Sequence, residues 1–118
     1  MKLRIDGKSV RLRLTQTEVT RFLEHGRVDE TLDFGGGARL NYSLESVAAI
    51  ASPQALFEGS VLRIQVPSAT AREWGQSDRV GISGGDAIAI TVEKDFQCLH
   101  GPGATDPDAF PNPLAHKH

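Results

Sequence analysis

Cysteine is nearly missing from this sequence, with Cys98 alone among 118 residues. A single thiol excludes an internal disulfide and fits a reducing compartment, so a cytoplasmic location is expected. Long apolar runs are also missing. Nothing approaches the ~20 consecutive apolar residues that a membrane-spanning helix requires. The amino end, Met1-Lys2-Leu3-Arg4-Ile5-Asp6, lacks the apolar stretch of a signal peptide. No membrane partner is therefore expected. An excess of one charge is absent too: the formal net charge of −2 provides no global attraction to nucleic acid or anionic lipid. Any such binding needs a local patch.

What is present suits one globular domain. The 39% hydrophobic and 24% charged fractions do not suggest disorder. Leu3 and Ile5 alternate with Lys2, Arg4 and Asp6, and Val10, Leu12 and Leu14 alternate with Ser9, Arg11 and Arg13. This period of two predicts paired strands around a hairpin at Asp6-Gly7-Lys8. A two-residue loop places Leu3, Ile5, Val10 and Leu12 on one face, leaving Lys2, Arg4, Arg11 and Arg13 on the other. Thr15-Gln16-Thr17-Glu18 reads as a capping box, Val19, Phe22 and Leu23 as the buried stripe of a short helix, and Gly26 as its left-handed stop. Strands are predicted over Arg27–Phe34 and around Leu40, Tyr42 and Leu44, joined at Gly35-Gly36-Gly37. Ser46–Pro53 reads as a connector with room for a short helix.

The pattern then restarts. A shift of 52 pairs Gly7 with Gly59, Arg11 with Arg63, Phe22 with Trp74, Arg27 with Arg79 and Val28 with Val80. A shift of 48 pairs Leu40, Tyr42, Leu44 and Glu45 with Ile88, Ile90, Val92 and Glu93. An internal duplication of a ββαββ unit accounts for both. The expected fold is α+β: a mainly antiparallel barrel or sandwich of about eight strands with two short helices. Residues 1–100 are expected to form the domain, with halves 1–45 and 54–94, and 101–118 a proline-rich tail whose bulky apolar anchors are Phe110 and Leu114, read either as a strap that lays Phe110 over one end or as a lid over a pocket.

Val66-Pro67-Ser68-Ala69-Thr70-Ala71-Arg72-Glu73-Trp74, followed by Gly75, Asp78 and Val80, resembles the AbrB/MazE swapped-hairpin domain. That likeness implies two ββαββ units exchanging hairpins and, as its function, DNA contact through arginines. Over nearly the whole chain, Met1–Ile5, Arg11–Gln16, Val92–Leu99 and Phe110–Pro113 resemble a small bacterial family known only as a domain of unknown function, which implies no activity.

Two constellations could carry chemistry. Lys2, Arg4, Arg11 and Arg13, with Arg63 in the repeat, form a candidate anion- or nucleic-acid-binding face. The same residues also fit a solvated sheet face with charges compensated across strands. Near the carboxyl end, Cys98, His100, Asp106 and Asp108 could hold zinc or a similar divalent metal, although the spacing is no zinc-ribbon spacing. Cys98 equally fits a small apolar residue at the edge of the core. Gly81-Ile82-Ser83-Gly84-Gly85 matches a nucleophile-elbow pattern, but that elbow needs a strand running into a helix. Here it is expected in the turn of the last hairpin. The reading that follows is a non-catalytic binding or regulatory domain without a cofactor. Its ligand or protein partner is not specified by sequence, DNA is one candidate, and the chain is expected to be a monomer or homodimer.

Overall fold

The protein is described by a computed structural model covering residues 1–96, 108 and 110. The elements in chain order are β1 (Lys2–Asp6), β2 (Ser9–Leu14), α1 (Gln16–His25), β3 (Arg27–Gly35), β4 (Ala38–Val47), β5 (Gln54–Glu58), β6 (Val61–Pro67), α2 (Ser68–Gln76), β7 (Gly81–Gly85) and β8 (Ala89–Lys94). They form an α+β sandwich of two four-stranded sheets, ordered β1-β2-β8-β7 (sheet A) and β3-β4-β6-β5 (sheet B), without closing into a barrel. Each sheet takes one hairpin from each half of the chain. Its hairpins are antiparallel, and its central pair, β2 with β8 or β4 with β6, is parallel.

The first hairpin has the expected even loop: Asp6 stands opposite Ser9, and Gly7 takes the turn at φ 59. Lys2, Arg4, Arg11 and Arg13 thus share the outer face of sheet A. Its counterpart turn places Gly59 and Ser60 both at positive φ, as a type I′ hairpin requires. Helix α1 starts on the full Thr15/Glu18 capping box and stops on Gly26 at φ 72, whose amide donates to the Phe22 carbonyl at 2.7 Å. One core holds Val10, Leu12, Leu14, Ile82, Ile90 and Val92 from sheet A, Val28, Leu44, Ile64 and Val66 from sheet B, and Val19, Phe22, Ala71 and Trp74 from the helices.

The strand registers obey the repeat. Lys2 opposite Arg13 corresponds to Gln54 opposite Gln65, and Val10 opposite Ile90 corresponds to Leu62 opposite Tyr42. At the helices the two halves meet through counterpart residues. Phe22 and Trp74 pack edge to face at 6.4 Å. Leu23 faces Gly75, where an added Cβ would lie 2.6 Å from the leucine Cδ1.

Three expectations need correction. Arg27 and Val28 correspond to Gly81 and Ile82, not to Arg79 and Val80: Arg27 pairs with Glu45 as Gly81 pairs with Glu93. The cause is the end of α2. No glycine stops it, its last cap residue Ser77 is extended at φ −129, and the chain spends extra residues before β7. The Lys94 ammonium donates to the Ser77 carbonyl at 2.6 Å, so a cation takes the place of a glycine cap at the negative helix end. Second, Gly81–Gly85 is edge strand β7 rather than a turn, because Ile82 is a buried anchor and Gly84 allows Pro53 to close in. Third, Ser46–Pro53 contains no helix; β4 runs on to Val47 instead.

All four hairpin turns lie at the end away from the helices, since α1 and α2 follow directly on β2 and β6. Ile5, Leu32, Phe34, Phe57 and Ile88 are exposed around those turns. At the helix end, Phe110 packs on Phe96 with ring centroids 6.1 Å apart and joins the core margin, as its anchoring role requires.

Candidate anion-binding face

The outer face of sheet A is built from two rungs of the first hairpin: Lys2 opposite Arg13, and Arg4 opposite Arg11. Residues two apart on a strand point the same way, so the rungs are stacked ~6.7 Å apart. β8 lies against β2 and contributes Glu93 opposite Arg13. Glu93 accepts from Arg13 Nε at 2.8 Å and lies 3.7 Å from Arg11 Nε. Lys2 Nζ sits 2.8 Å from the buried carboxylate of Asp95. Arg4 makes no ion pair among the described residues. It lines, with Asp6, Ser9 and Arg11, a shallow depression of about 120 Å³.

The counterpart face of sheet B is wired differently. Glu45 is the repeat partner of Glu93, but it is buried and receives two bonds from Arg63, at 3.0 and 3.2 Å. Gln65 Nε2 adds a third at 2.8 Å, and Arg27 Nη1 lies 3.0 Å away. Burial alone would raise the Glu45 pKa; bonds from Arg63 and Gln65 outweigh it and hold the group below its ordinary value of 4.5. The same bonding raises the Arg63 pKa. Arg63 is thus committed to its glutamate. Lys2, Arg4 and Arg13 correspond here to Gln54, Leu56 and Gln65, so repeat two has lost most of the basic set.

The other candidate constellation is only partly in view. Cys98, His100 and Asp106 lie outside the described residues. Asp108 accepts from the Thr17 amide at 3.1 Å and the Thr17 hydroxyl at 2.8 Å. Its carbonyl accepts from the Gln16 amide at 2.9 Å, so the residue tops the first turn of α1. The Thr17 hydroxyl bond, helped by one from Thr15, lowers the Asp108 pKa. Among the described residues no group of three His, Cys, Asp or Glu side chains is arranged to hold a metal.

Sequence reasoning passes over Lys94. Alternation along β8 makes its slot inward-facing, and the structure buries it there, with Nζ 5.3 Å from the Phe110 ring centroid and 6.0 Å from that of Trp74. Burial lowers its pKa, against an opposing pull from Asp78. A lysine at an apolar parity position is the one available signal.

A family of unknown function, DUF7009, matches residues 1–114. The chain belongs to this family. No curated protein and no solved structure matches the chain. Membership in DUF7009 covers both halves and extends past Phe110. It assigns no residue a role, so the functional reading has to come from the chemistry of the faces. No helix among the described residues is long and apolar enough to cross a membrane.

Proposed function

We propose that the protein is a non-catalytic binding domain whose partner is an anionic chain laid across the outer face of sheet A. The observation that carries this reading is the contrast between the two halves. Arg63 is held by two bonds to Glu45, whereas Arg4 is unpaired among the described residues and Arg11 is only loosely held, at 3.7 Å from Glu93. Arg4 and Arg11 face each other on one rung, beside Lys2 and Arg13, which are paired with Asp95 and Glu93, and offer adjacent cations that neighbouring phosphates of a chain can meet. The interleaving of hairpins between halves, together with the resemblance of Val66–Val80 to the AbrB/MazE domain, makes duplex DNA the first polyanion to test. A cytoplasmic setting suits such a partner.

Fluorescence anisotropy with labelled random-sequence duplex DNA and with inorganic polyphosphate tests the reading across a salt series. Neutralising two to four phosphates predicts a log K versus log salt slope of about −2 to −4 on duplex DNA. Replacing Arg4 and Arg11 together by Ala is expected to weaken binding at least tenfold at low salt and to flatten the slope by about 2. Arg63→Ala is expected to leave binding unchanged. Failure of both polyanions to bind at low salt, or equal loss from Arg63→Ala, removes the proposal.

A further inference from the structure

The hairpins β3–β4 and β7–β8 are counterparts of unequal length. The rung Thr31 opposite Asn41 corresponds to Gly85 opposite Ala89. Beyond it β3–β4 continues through Leu32 opposite Leu40, Asp33 opposite Arg39 and Gly35 opposite Ala38, while β7–β8 turns at once through Asp86, Ala87 and Ile88. Beside the shorter hairpin is an open pocket of about 370 Å³, walled by Pro53, Ala55, Ile88 and Ile90, with Gln54 and Asp86 on its lining. That volume falls within the range of small-ligand sites, ~300–1,000 Å³.

In the first half the counterparts of the lining residues Ala55 and Ile90 are the larger Leu3 and Tyr42, both packed on the core margin. Ile90 stands opposite Val10 as Tyr42 stands opposite Leu62, so Tyr42 is the counterpart of Ile90. The Tyr42 ring packs against the core margin, and its hydroxyl donates to the Met1 carbonyl at 2.8 Å. Pro53 is the counterpart of Met1, because Gln54 opposite Gln65 repeats Lys2 opposite Arg13. The surroundings of these two residues also correspond. The Met1 ammonium lies 3.1 Å from a Glu30 carboxylate oxygen. Pro53 lies on Gly84, the counterpart of Glu30, so closely that an added Cβ would be 2.6 Å from the proline Cδ. The second half therefore repeats the strand-to-strand seam and has Pro53 at the register position of the accepting residue, but carries an aliphatic side chain where the first half carries a phenol.

We propose that this pocket is a binding site for a small phenolic molecule. Its ring lies among Pro53, Ala55, Ile88 and Ile90, and its hydroxyl donates to the Pro53 carbonyl as Tyr42 does to Met1. Asp86 on the lining disfavours ligands that carry a carboxylate. The site is separate from the basic outer face of sheet A and does not depend on the anion-binding reading.

The probe is p-cresol, which is the tyrosine side chain as a free molecule, titrated into the uniformly ¹⁵N-labelled full chain. Saturable amide shifts confined to residues 52–55 and 85–90 are expected, with toluene binding at least fivefold more weakly because it lacks the donor. Ile90→Tyr supplies the ring from the chain itself and is expected to reduce p-cresol affinity at least tenfold. Ile90 is buried, so Ile88→Trp at the exposed rim serves as a second variant that blocks the mouth without entering the core; the same loss is expected, and it decides the matter if Ile90→Tyr does not fold. Absence of saturable shifts, shifts spread over Ile5, Leu32 and Phe57 instead, or unchanged affinity in Ile88→Trp overturns the site. Equal affinity for toluene overturns its assignment to phenols.

Discussion

Glu45 and Glu93 stand at counterpart rungs of β4 and β8, yet their surroundings differ in burial and in bonding. Glu45 is buried beneath Arg63, Gln65 and Arg27, whereas the Glu93 side chain keeps 20% of its surface and relies on Arg13, with Arg11 more distant. Glu45→Gln takes from Arg63 its hydrogen-bonded counter-charge, while Arg27 keeps Asp29 at 2.8 Å, and is expected to cost about 1–3 kcal/mol at pH 7 by urea denaturation. Glu93→Gln, on a wetter face, is expected to cost less than half as much. The sign with pH follows from the Glu45 pKa, which is lower in the folded than in the unfolded chain. The carboxylate's contribution is complete above its ordinary value of 4.5 and is lost as pH falls through the folded value, so stability declines on acidification. In Glu45→Gln that acid limb becomes shallower. Glu18 adds to the same limb: bonds from the chain's ammonium group and Thr15 overcome its burial and lower its pKa. The outward pointing of Arg4, Arg11 and Arg13 was legible from alternation alone. The pairing of Arg11 and Arg13 with Glu93 was not, because β8 reaches β2 from 80 residues away and no local pattern encodes that neighbour.

Between elements, the contact of α1 with α2 depends on a difference between repeats. Leu23 is large where Gly75 is small, and the leucine tip occupies the space that a second side chain would need. Gly75→Ala gains helix propensity of up to ~1 kcal/mol but pushes against Leu23. The two effects are expected to nearly cancel in the native background. In a Leu23→Ala background the push disappears and Gly75→Ala is expected to stabilise, so a double-mutant cycle should yield a coupling of about 1 kcal/mol by chemical denaturation. No coupling would mean that the helices yield freely at this contact. Helix α1 was readable in detail because Thr15, Glu18 and Gly26 are local signals that act within one turn. The end of α2 was not, since its cap is Lys94 Nζ, delivered from β8. The same absence of a glycine stop shifted the true repeat by two residues and made Arg79 and Val80 look like counterparts of Arg27 and Val28.

At the scale of the molecule, the two halves behave as one pseudo-symmetric pair joined by a tether. Residues 48–53 connect β4 to β5, and all but Ile50 and Pro53 are exposed. An engineered protease site placed between Ala49 and Ala51 should be cut without loss of the sandwich, because each sheet is held by strands from both sides of the cut. Size-exclusion chromatography and circular dichroism are expected to be unchanged after cleavage, while Tm becomes dependent on protein concentration. Separation of the pieces at micromolar concentration would show that the tether, rather than the shared sheets, holds the halves together. The repeat was visible in sequence as matching alternation. The interleaving needed strand pairing to be seen, and only the resemblance to a hairpin-exchanging domain pointed towards it.

The parallel pairing of β2 with β8 also sets a clock for biosynthesis. Sheet A joins a hairpin from the first residues of the chain to one near its described end, and sheet B is nested within that interval. Loop closure of this span must precede the contacts that reward it, which places the protein among slow, non-local folders. A ribosome that has released only the first half has released two hairpins and a helix with no completed sheet between them. Leu12, Leu44 and Phe22, all sealed in the finished core, stay open to water until β8 emerges. The emerging chain thus has a long interval in which its apolar faces can find a wrong partner, and its first half becomes a folded object only when the second arrives.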